Sequence, residues 1–384
     1  MARRIFLSLV FLAFATWGLA AVPQVKEEAI NVIEELKLFS KAMGAIHEAY
    51  VGETKPRSLT YEAIRGMLAG ISDKYAQFFD PSMYELLQMS IRGEYAGIGV
   101  ILQIMDHYPQ VISLKPDGAA LKSGVQAGDR ILKVNSESLQ DMELPEVAKR
   151  LRGEADSDVQ LLLMRPATKK TFELKIKREK IEIEAVKDAR MVSKEIGYIR
   201  INSFQETTTK QVDEAVRKLD KDGLKALIID LRDNEGGLLE QAVDLASLFL
   251  PQGKKVVSVK SKIKEQEKEY FTSGKYPVRA DRLVVLVNEK SASASEIFSA
   301  CMQDHRRATL IGTQTFGKAS VQSVVPLDEK TAMKFTTARY LSPLGRMIDG
   351  VGIKPDEIIQ KRNMDRVDMQ IVRALSFLQE TNKK

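Results

Sequence analysis

The sequence predicts a multidomain α/β protein: helical segments at both ends, a layered α/β core, and a small β domain inserted before that core. Three observations support this prediction. The chain has 384 residues, enough for two or three domains of roughly 100–200 residues each. From about residue 91, short β runs separated by glycines replace a helical pattern. After residue 181, apolar strands alternate with amphipathic helices, as in layered α/β folds.

The first residues match a secretory signal peptide. Two arginines at positions 3 and 4 precede an apolar run over residues 5–17, and small residues follow up to Ala21. This order predicts export, with residues 1–20 removed as the signal peptide. The alternative is an uncleaved membrane anchor, because residues 5–22 carry no charge, although an anchor usually needs about 20 apolar residues.

Both ends of the mature chain are predicted to be helical. In the leading segment, residues 21–90, apolar residues recur at helical spacing over 25–50 and 59–71, with a shorter helix over 86–89. Residues 361–384 form a similar amphipathic segment. Such segments are more typical of surfaces that pack on a partner than of catalytic sites.

Residues 91–178 are predicted to form the inserted β domain, with strands over 97–102, 110–114 and 128–134 and a closing hairpin. A glycine-rich loop lies at its start. The N–H groups of such a loop form a nest for a carboxylate, and the adjacent strand edge can accept an extended peptide. A plain hairpin turn is the alternative interpretation. The loop residues are Ala96, Gly97, Ile98 and Gly99.

This loop, together with residues 116–120 and 124–131, resembles a PDZ domain of the bacterial protease type over about 85 residues. The resemblance implies that the loop binds the carboxyl terminus of a peptide. It also implies that the last, apolar side chain of that peptide lies near Ile98 and Leu121.

Residues 179–360 are predicted to form the α/β core. Buried strands over 226–231 and 283–287 are each followed by a helix. Three serines separated by alanines, Ser291, Ser293 and Ser295, follow the second strand where the next helix begins. One serine at a helix start is usually a cap, but three exceed what a cap needs. We therefore predict a nucleophilic serine here.

The base that activates this serine is predicted to be a lysine. His305 is the only histidine of the core, and it lies 12 residues beyond Ser293 on the same predicted helix. At 1.5 Å per residue this is roughly 18 Å, outside hydrogen-bond reach. Serine–lysine pairs exist and need a desolvated lysine. Lys318 lies in a charge-poor stretch, and Gln322 is placed to orient its amine.

These residues resemble the carboxyl-terminal processing proteases, a family of tail-specific Ser/Lys peptidases. The resemblance rests on residues 229–238, 291–297 and 315–322, continues in 336–340 and 352–356, and covers about residues 25–380. It implies that Ser293 is the nucleophile and that Lys318, 25 residues later, is the base. It further implies a crotonase-like core and an oxyanion hole formed by the N–H groups of Gly237 and Ala294. The chain departs from the family in the loop that contains Asn234, Glu235 and Gly236.

The composition sets the limits of the predicted function. The single cysteine, Cys301, excludes an internal disulfide, and the three histidines are too far apart in sequence to suggest a metal site. The net charge of +6 is spread along the chain without a basic stripe, so we expect no nucleic-acid partner. No metal and no cofactor are expected either.

The predicted function is that of an exported serine endopeptidase of the bacterial periplasm or cell envelope, membrane-associated if the signal segment is retained. Its expected partners are proteins with apolar carboxyl-terminal tails, a second copy of the chain in a homo-oligomer, and, as the resemblance allows, an adaptor protein. Two alternatives remain open: an inactive PDZ scaffold, and a thioester enzyme of the enoyl-CoA hydratase type.

Overall fold

The structure is a computed structural model that describes residues 31–274, 278, 280–360 and 367–380. The predicted signal peptide, residues 1–20, lies outside these residues, so export stays a prediction. Among the helices that the structure describes, none has the length and apolar character needed to cross a membrane.

The helices of the described part fall into an N-terminal set, a short pair in the inserted domain and a set that covers the core. In chain order they are α1 (Asn31–Ala49), α2 (Pro56–Gly70), α3 (Pro81–Arg92), α4 (Ala119–Lys122), α5 (Leu144–Leu151), α6 (Thr208–Lys221), α7 (Leu239–Phe249), α8 (Ala294–Asp304) and α9 (Met369–Glu380). The carboxylate of Asp80 caps α3 by accepting the N–H groups of Ser82 and Met83. Because of this cap, α3 begins earlier than the helix predicted over 86–89.

The strands form two large sheets in the protease half of the chain, a third sheet in the inserted domain, and a short ribbon. The strands up to residue 182 are, in chain order, β1 (Gln77–Phe79), β2 (Glu94–Gly97), β3 (Val100–Met105), β4 (Tyr108–Leu114), β5 (Arg130–Val134), β6 (Glu137–Ser138), β7 (Asp158–Arg165), β8 (Lys170–Lys177) and β9 (Glu179–Glu182). The strands after residue 182 are β10 (Val186–Met191), β11 (Ile196–Ile201), β12 (Ala226–Asp230), β13 (Lys255–Ser261), β14 (Lys268–Phe271), β15 (Arg282–Val287), β16 (Thr309–Gly312), β17 (Ser320–Pro326), β18 (Ala332–Leu341) and β19 (Glu357–Ile358).

The core sheet has the order β10-β11-β12-β15-β16-β19. All neighbours are parallel except β10, which pairs antiparallel with β11. Side chains of α6, α7 and α8 pack on one face, and side chains of α9 pack on the other. The predicted layered α/β core is therefore confirmed. Because the strands are parallel, the loops that follow β12, β15 and β16 meet at one edge of the sheet.

A second sheet has the order β1-β18-β13-β14, and β17 also pairs with β18. Its edge strand β1 comes from the leading helical segment, and Phe78 lies opposite Met333 of β18. The side chain of Phe78 is buried and its ring contacts that of Tyr61 on α2, with 4.8 Å between ring centroids. The leading segment is thus an integral part of the protease half.

The inserted domain contains a sheet of order β3-β4-β5-β7-β8, with β6 paired to β5. Its core is aliphatic and includes Ile131, Val147 on α5, and Val159, all fully buried. The chain enters and leaves this domain through the antiparallel ribbon of β2 and β9, in which Glu94 lies opposite Glu182. The two adjacent strands of this ribbon therefore connect the inserted domain to the protease half.

The last described helix is attached to the core by buried charges. Arg232, directly after β12, forms ion pairs with Asp230 (2.6 Å) and with Asp368 (2.7 Å) at the start of α9. The same guanidinium donates to the amide oxygen of Gln370 at 2.9 Å. Arg232 is nearly inaccessible to water, and its bonds to Asp368 and Gln370 hold the start of α9 at the loop edge of the sheet.

Candidate active site

The three serines that follow β15 have different surroundings. Ser291 and Ser295 are fully buried, and their hydroxyls donate to the carbonyl oxygens of Leu231 (2.8 Å) and Asn234 (2.9 Å). Ser293 is half-buried, and its backbone has φ +55° and ψ −116°, a region that residues with a Cβ rarely adopt. Such strain at a strand-to-helix turn presents a side chain outward. Two serines are therefore structural, and Ser293 is the one with accessible surface.

Lys318 lies in the loop between β16 and β17 and is half-buried. Burial lowers the pKa of its amine, and the like charge of Lys334 on β18 lowers this pKa further. The ring of Tyr75 packs over the amine, with Nζ 4.7 Å from the ring centroid. A lowered pKa increases the fraction of neutral amine, the form that can accept a proton.

One buried carboxylate joins the segments that carry Ser293 and Lys318. Oε2 of Glu296 accepts the N–H of Ser293 (3.0 Å) and the N–H of Lys318 (2.8 Å). Oε1 accepts the hydroxyl of Thr315 (2.5 Å) and the N–H of Gly317 (2.8 Å). Glu296 has no accessible surface, and burial raises the pKa of its carboxyl while the four donors lower it. This carboxylate fixes the two backbones relative to each other.

Tyr340 makes a second connection between the same segments. Its ring is buried, and its hydroxyl contacts the carbonyl oxygens of Ser293 (3.1 Å) and Lys318. Sequence reasoning gave no role to Glu296 or Tyr340. For Glu296 a signal existed, since a glutamate three residues after a serine at a helix start is a capping box. For Tyr340 no local signal existed, because its role depends on where β18 packs.

The turn after β12 brings Gly236 against Ser293 and Gly237 against Phe204. A Cβ on Gly236 would lie 2.8 Å from the Cβ of Ser293 and 2.8 Å from the N atom of Ala294. Gly237 has φ +147°, and a Cβ there would lie 2.1 Å from the carbonyl oxygen of Phe204. No described residue accepts a hydrogen bond from the N–H of Gly237 or of Ala294. The N–H groups of Gly237 and Ala294 thus have no partner among the described residues, as donors of an oxyanion hole would before substrate binds.

Two further residues lie apart from this arrangement. The side-chain amide of Gln322 donates to Oγ (2.7 Å) and to the carbonyl oxygen (3.1 Å) of Ser320. Within the described residues no hydrogen bond joins Gln322 to Lys318, because the lysine amine packs on the ring of Tyr75 instead. His305 lies at the far end of α8, where Nε2 contacts the carbonyl oxygen of Lys255 at 2.7 Å. This position agrees with the predicted separation of His305 from Ser293.

Tyr75 is a site residue that sequence reasoning missed. The carboxylate of Asp73 accepts the N–H of Tyr75 (3.0 Å) and the N–H of Thr336 on β18 (2.7 Å), which fixes the loop before β1 beside the second sheet. The leading segment, expected only to pack on a partner, thus supplies one wall around Lys318. No sequence signal near Tyr75 indicates this contact, because it depends on the pairing of β1 with β18.

The glycine-rich loop borders a groove of about 190 Å³ in the inserted domain, which we call the peptide groove. Gly97, Ile98 and Gly99 line one side. Ala96 precedes them, and its carbonyl oxygen accepts the N–H of Gly153 at 3.4 Å. The other residues of the wall are Tyr95, Val100, Leu102, Leu144, Ala148, Leu151 and Arg152.

The expectation that Leu121 contributes to this groove is wrong. Leu121 lies on α4 and is absent from the lining of the groove, whose helical wall is α5. Its side chain is largely exposed. The groove is apolar where Leu144 and Leu151 face Ile98, so it suits an apolar side chain next to a carboxylate nest.

The chain is similar to known proteins over most of its length. Residues 195–359 match Peptidase family S41, and residues 110–165 match the PDZ domain. A carboxy-terminal-processing protease of Bartonella bacilliformis is 35% identical over 336 residues, which cover 86% of this chain and 76% of that protein. A carboxyl-terminal-processing protease of Picosynechococcus sp. is 32% identical over 380 residues, covering 92% and 91%.

Among solved structures, the photosystem II D1 C-terminal processing protease shares 30% sequence identity, covers 89% of this chain and 97% of its own, and superposes with a TM-score of 0.49. The two sequence relationships cover more than two thirds of each relative and most of this chain. The chain therefore belongs to the carboxyl-terminal processing proteases of peptidase family S41, and it carries a PDZ domain.

Proposed function

We propose that this protein is an exported serine endopeptidase that captures protein carboxyl-terminal tails with its PDZ domain and cuts them with a Ser293–Lys318 dyad. One observation carries the proposal. Ser293 is the only accessible serine of its cluster, and the carboxylate of Glu296 binds the backbone N–H groups of both Ser293 and Lys318. An inactive scaffold would not need a strained, accessible serine beside a half-buried lysine.

In the proposed reaction, the neutral amine of Lys318 accepts the proton of the Ser293 hydroxyl as Oγ attacks the scissile carbonyl carbon. The carbonyl oxygen becomes an oxyanion, which the N–H groups of Gly237 and Ala294 stabilise. The C–N bond then breaks, and the lysine ammonium gives its proton to the leaving amine. Water attacks the resulting ester by the same route, which releases the acid and restores the serine.

Gln322 is proposed to orient the lysine during these steps. Its amide nitrogen donates to Ser320, which leaves its amide oxygen to accept a hydrogen bond from the Lys318 amine. For this contact the amine would move from its position over the ring of Tyr75. Gln322 is therefore a positioning residue.

Replacing Ser293 or Lys318 by alanine tests the proposal directly. Each variant is expected to lose about 10³-fold or more of kcat/KM, because nucleophile and base act as one unit. The measurement uses a protein substrate with an apolar, uncharged carboxyl terminus. The matched control is Lys290→Ala, which removes an exposed lysine just before the serine cluster and should leave the rate unchanged.

Cleavage by either variant at the wild-type rate would contradict the dyad.

The role of the PDZ domain is tested with the same substrate after amidation of its carboxyl terminus. Amidation removes the charge that the glycine-rich loop would bind, so KM should rise. An equal rate for free and amidated tails would contradict capture by the peptide groove.

The pH dependence of the reaction should report the charge beside Lys318. Because protonated Lys318 cannot act as a base, kcat/KM should rise with pH through the pKa of this lysine. Lys334 lowers that pKa, so Lys334→Met should raise it and move the rising limb to higher pH. Lys334→Arg keeps the charge and should leave the limb in place. An unmoved limb in Lys334→Met would contradict Lys318 as the titrating base.

The proposal extends to the surroundings of the enzyme. We place it in the bacterial periplasm or cell envelope, with a crotonase-like core over residues 179–360 and terminal helical segments that associate with a second copy. Support for self-association comes from α1, which leaves a run of large apolar side chains exposed. These are Val32, Ile33, Leu36, Leu38 and Phe39. An adaptor protein is a further proposed partner.

A further inference from the structure

Glu235 is an exposed acidic residue in the turn after β12, in the loop where the chain departs from its family. Its carboxylate makes no hydrogen bond and no ion pair within the residues that the structure describes. The nearby carboxylate of Asp233 differs, because it pairs with Arg200 (3.1 Å) and accepts the side-chain amide of Asn288 (3.0 Å). Glu235 thus presents to solvent a negative charge that no described residue pairs.

The backbone on both sides of Glu235 is fixed. Asn234 is fully buried, and its amide nitrogen donates to the carbonyl oxygen of Ile201 at 2.9 Å. Its amide oxygen accepts the N–H of Gly236 at 2.9 Å. The backbone carbonyl oxygen of Asn234 accepts the N–H of Ala292 at 3.0 Å. Because both of its neighbours are held in this way, Glu235 keeps one position relative to the serine cluster.

This position is close to the proposed nucleophile. A Cβ on Gly236 would lie 2.8 Å from the Cβ of Ser293. Consecutive Cα atoms are about 3.8 Å apart, so the Cα of Glu235 lies within about 8 Å of that Cβ. Gly237, whose N–H is a candidate oxyanion donor, follows two residues after Glu235. The exposed carboxylate therefore stands at the edge of the candidate oxyanion hole.

The charge of Glu235 also reaches the proposed base without being bound to it. Burial lowers the pKa of Lys318, and the carboxylates of Glu235 and Glu296 act in the opposite direction. No ion pair joins Glu235 to Lys318 in the described part of the chain, where the lysine amine lies over the ring of Tyr75. The carboxylate thus remains accessible to a charged group that arrives with the substrate.

We propose that Glu235 is a specificity-determining residue, whose carboxylate binds a lysine or arginine side chain of the substrate close to the scissile bond. This inference rests on the proposed function. A substrate whose scissile carbonyl oxygen contacts the N–H of Gly237 lies against the turn that carries Glu235. Long cationic side chains beside the scissile bond are then within reach of the carboxylate, whereas a substrate carboxylate at the same place is repelled.

A charge exchange between enzyme and substrate tests this role. Protein substrates with a common apolar, uncharged carboxyl terminus carry lysine or glutamate at each position around the cleavage site in turn. Wild-type enzyme should prefer lysine over glutamate by about tenfold in kcat/KM at one position, the effect of one hydrogen bond between charged groups. Glu235→Gln should remove most of that preference, and Glu235→Lys should reverse it at the same position.

Glu240→Gln is the matched control, because it removes an exposed carboxylate from the first turn of α7, five residues beyond Glu235. It should keep the wild-type preference. Salt gives a second measurement: since salt screens exposed charges, higher ionic strength should weaken the preference of wild-type enzyme and leave the ratio of Glu235→Gln nearly constant.

The same preference in wild type and Glu235→Gln, or an equal loss of preference in Glu240→Gln, would overturn the inference. A wild-type enzyme with no charge preference at any position would do the same. Failure of the proposed function is distinguishable. Cleavage that persists in Ser293→Ala would contradict the dyad, whereas Ser293-dependent cleavage with an unchanged preference in Glu235→Gln contradicts only the role of Glu235.

Discussion

Glu296→Gln is expected to lower kcat/KM at least about 100-fold, the order of loss that a displacement of about 1 Å between reacting groups produces. The carboxylate accepts four hydrogen bonds, including one from each backbone of the dyad. Glutamine offers one oxygen and one NH₂ group, so two of the four donors would face another donor. Each unsatisfied buried donor costs about 1–3 kcal/mol, so the free energy of unfolding should fall by about 2–6 kcal/mol.

The measurement combines kcat/KM on the apolar-tailed substrate with thermal unfolding followed by circular dichroism. Rates are taken well below the unfolding transition, so that lost activity is not lost folding. Glu289→Gln is the matched control, because Glu289 is exposed and accepts one hydrogen bond, from Thr313 at 3.1 Å. Its stability should change by less than about 0.5 kcal/mol. Wild-type activity in Glu296→Gln would contradict the bridging role.

Gly237→Ala should be nearly as damaging, for a steric reason. At φ +147° a Cβ would lie 2.1 Å from the carbonyl oxygen of Phe204, closer than any side chain tolerates, so the loop must move. In the proposed oxyanion hole, this movement withdraws the N–H of Gly237 from the carbonyl oxygen of the substrate. Loss of one such donor costs about 2.7–4 kcal/mol of transition-state stabilisation, and kcat should fall by about 10²–10³-fold.

Gly253→Ala separates this steric effect from backbone strain. Gly253 also has a left-handed backbone, with φ +78°, but a Cβ there meets no atom within 4 Å. Gly253→Ala should therefore lower the free energy of unfolding by only about 1 kcal/mol and leave kcat unchanged. The variants are compared in kcat and in urea unfolding. Equal kcat for Gly237→Ala and wild type would show that this N–H does not act on the transition state.

Strands buried on both faces and amphipathic helices were predictable from the sequence. The apolar runs that became β12 and β15 have no polar interruption, so their assignment needed no tertiary information. The paired strands β17 and β18 were not assigned. Their residues alternate between half-buried apolar and polar side chains, and charges such as Lys334 and Arg339 obscure the pattern.

The candidate site was predictable only in part. The serine cluster and Lys318 stand in recognisable motifs, but the motif alone does not show why Ser291 and Ser295 are excluded. That reason lies in the carbonyl groups of Leu231 and Asn234, which the turn after β12 brings to them. The groove prediction failed at Leu121 because a glycine-rich loop does not show which helix packs opposite it.

The pairing of β1 with β18 also has a consequence for the order in which the enzyme is made. Synthesis proceeds from the N-terminus, so Tyr75 and β1 emerge long before Lys318 and β18 exist to receive them. N-terminal parts of a chain generally fold first, yet this edge strand has no partner until the second sheet forms. Until then Tyr75 cannot pack on the amine of Lys318, and the proposed base lacks part of the burial that lowers its pKa. On the proposed mechanism, Ser293 and Lys318 therefore act as a complete pair only after β18 has paired with β1.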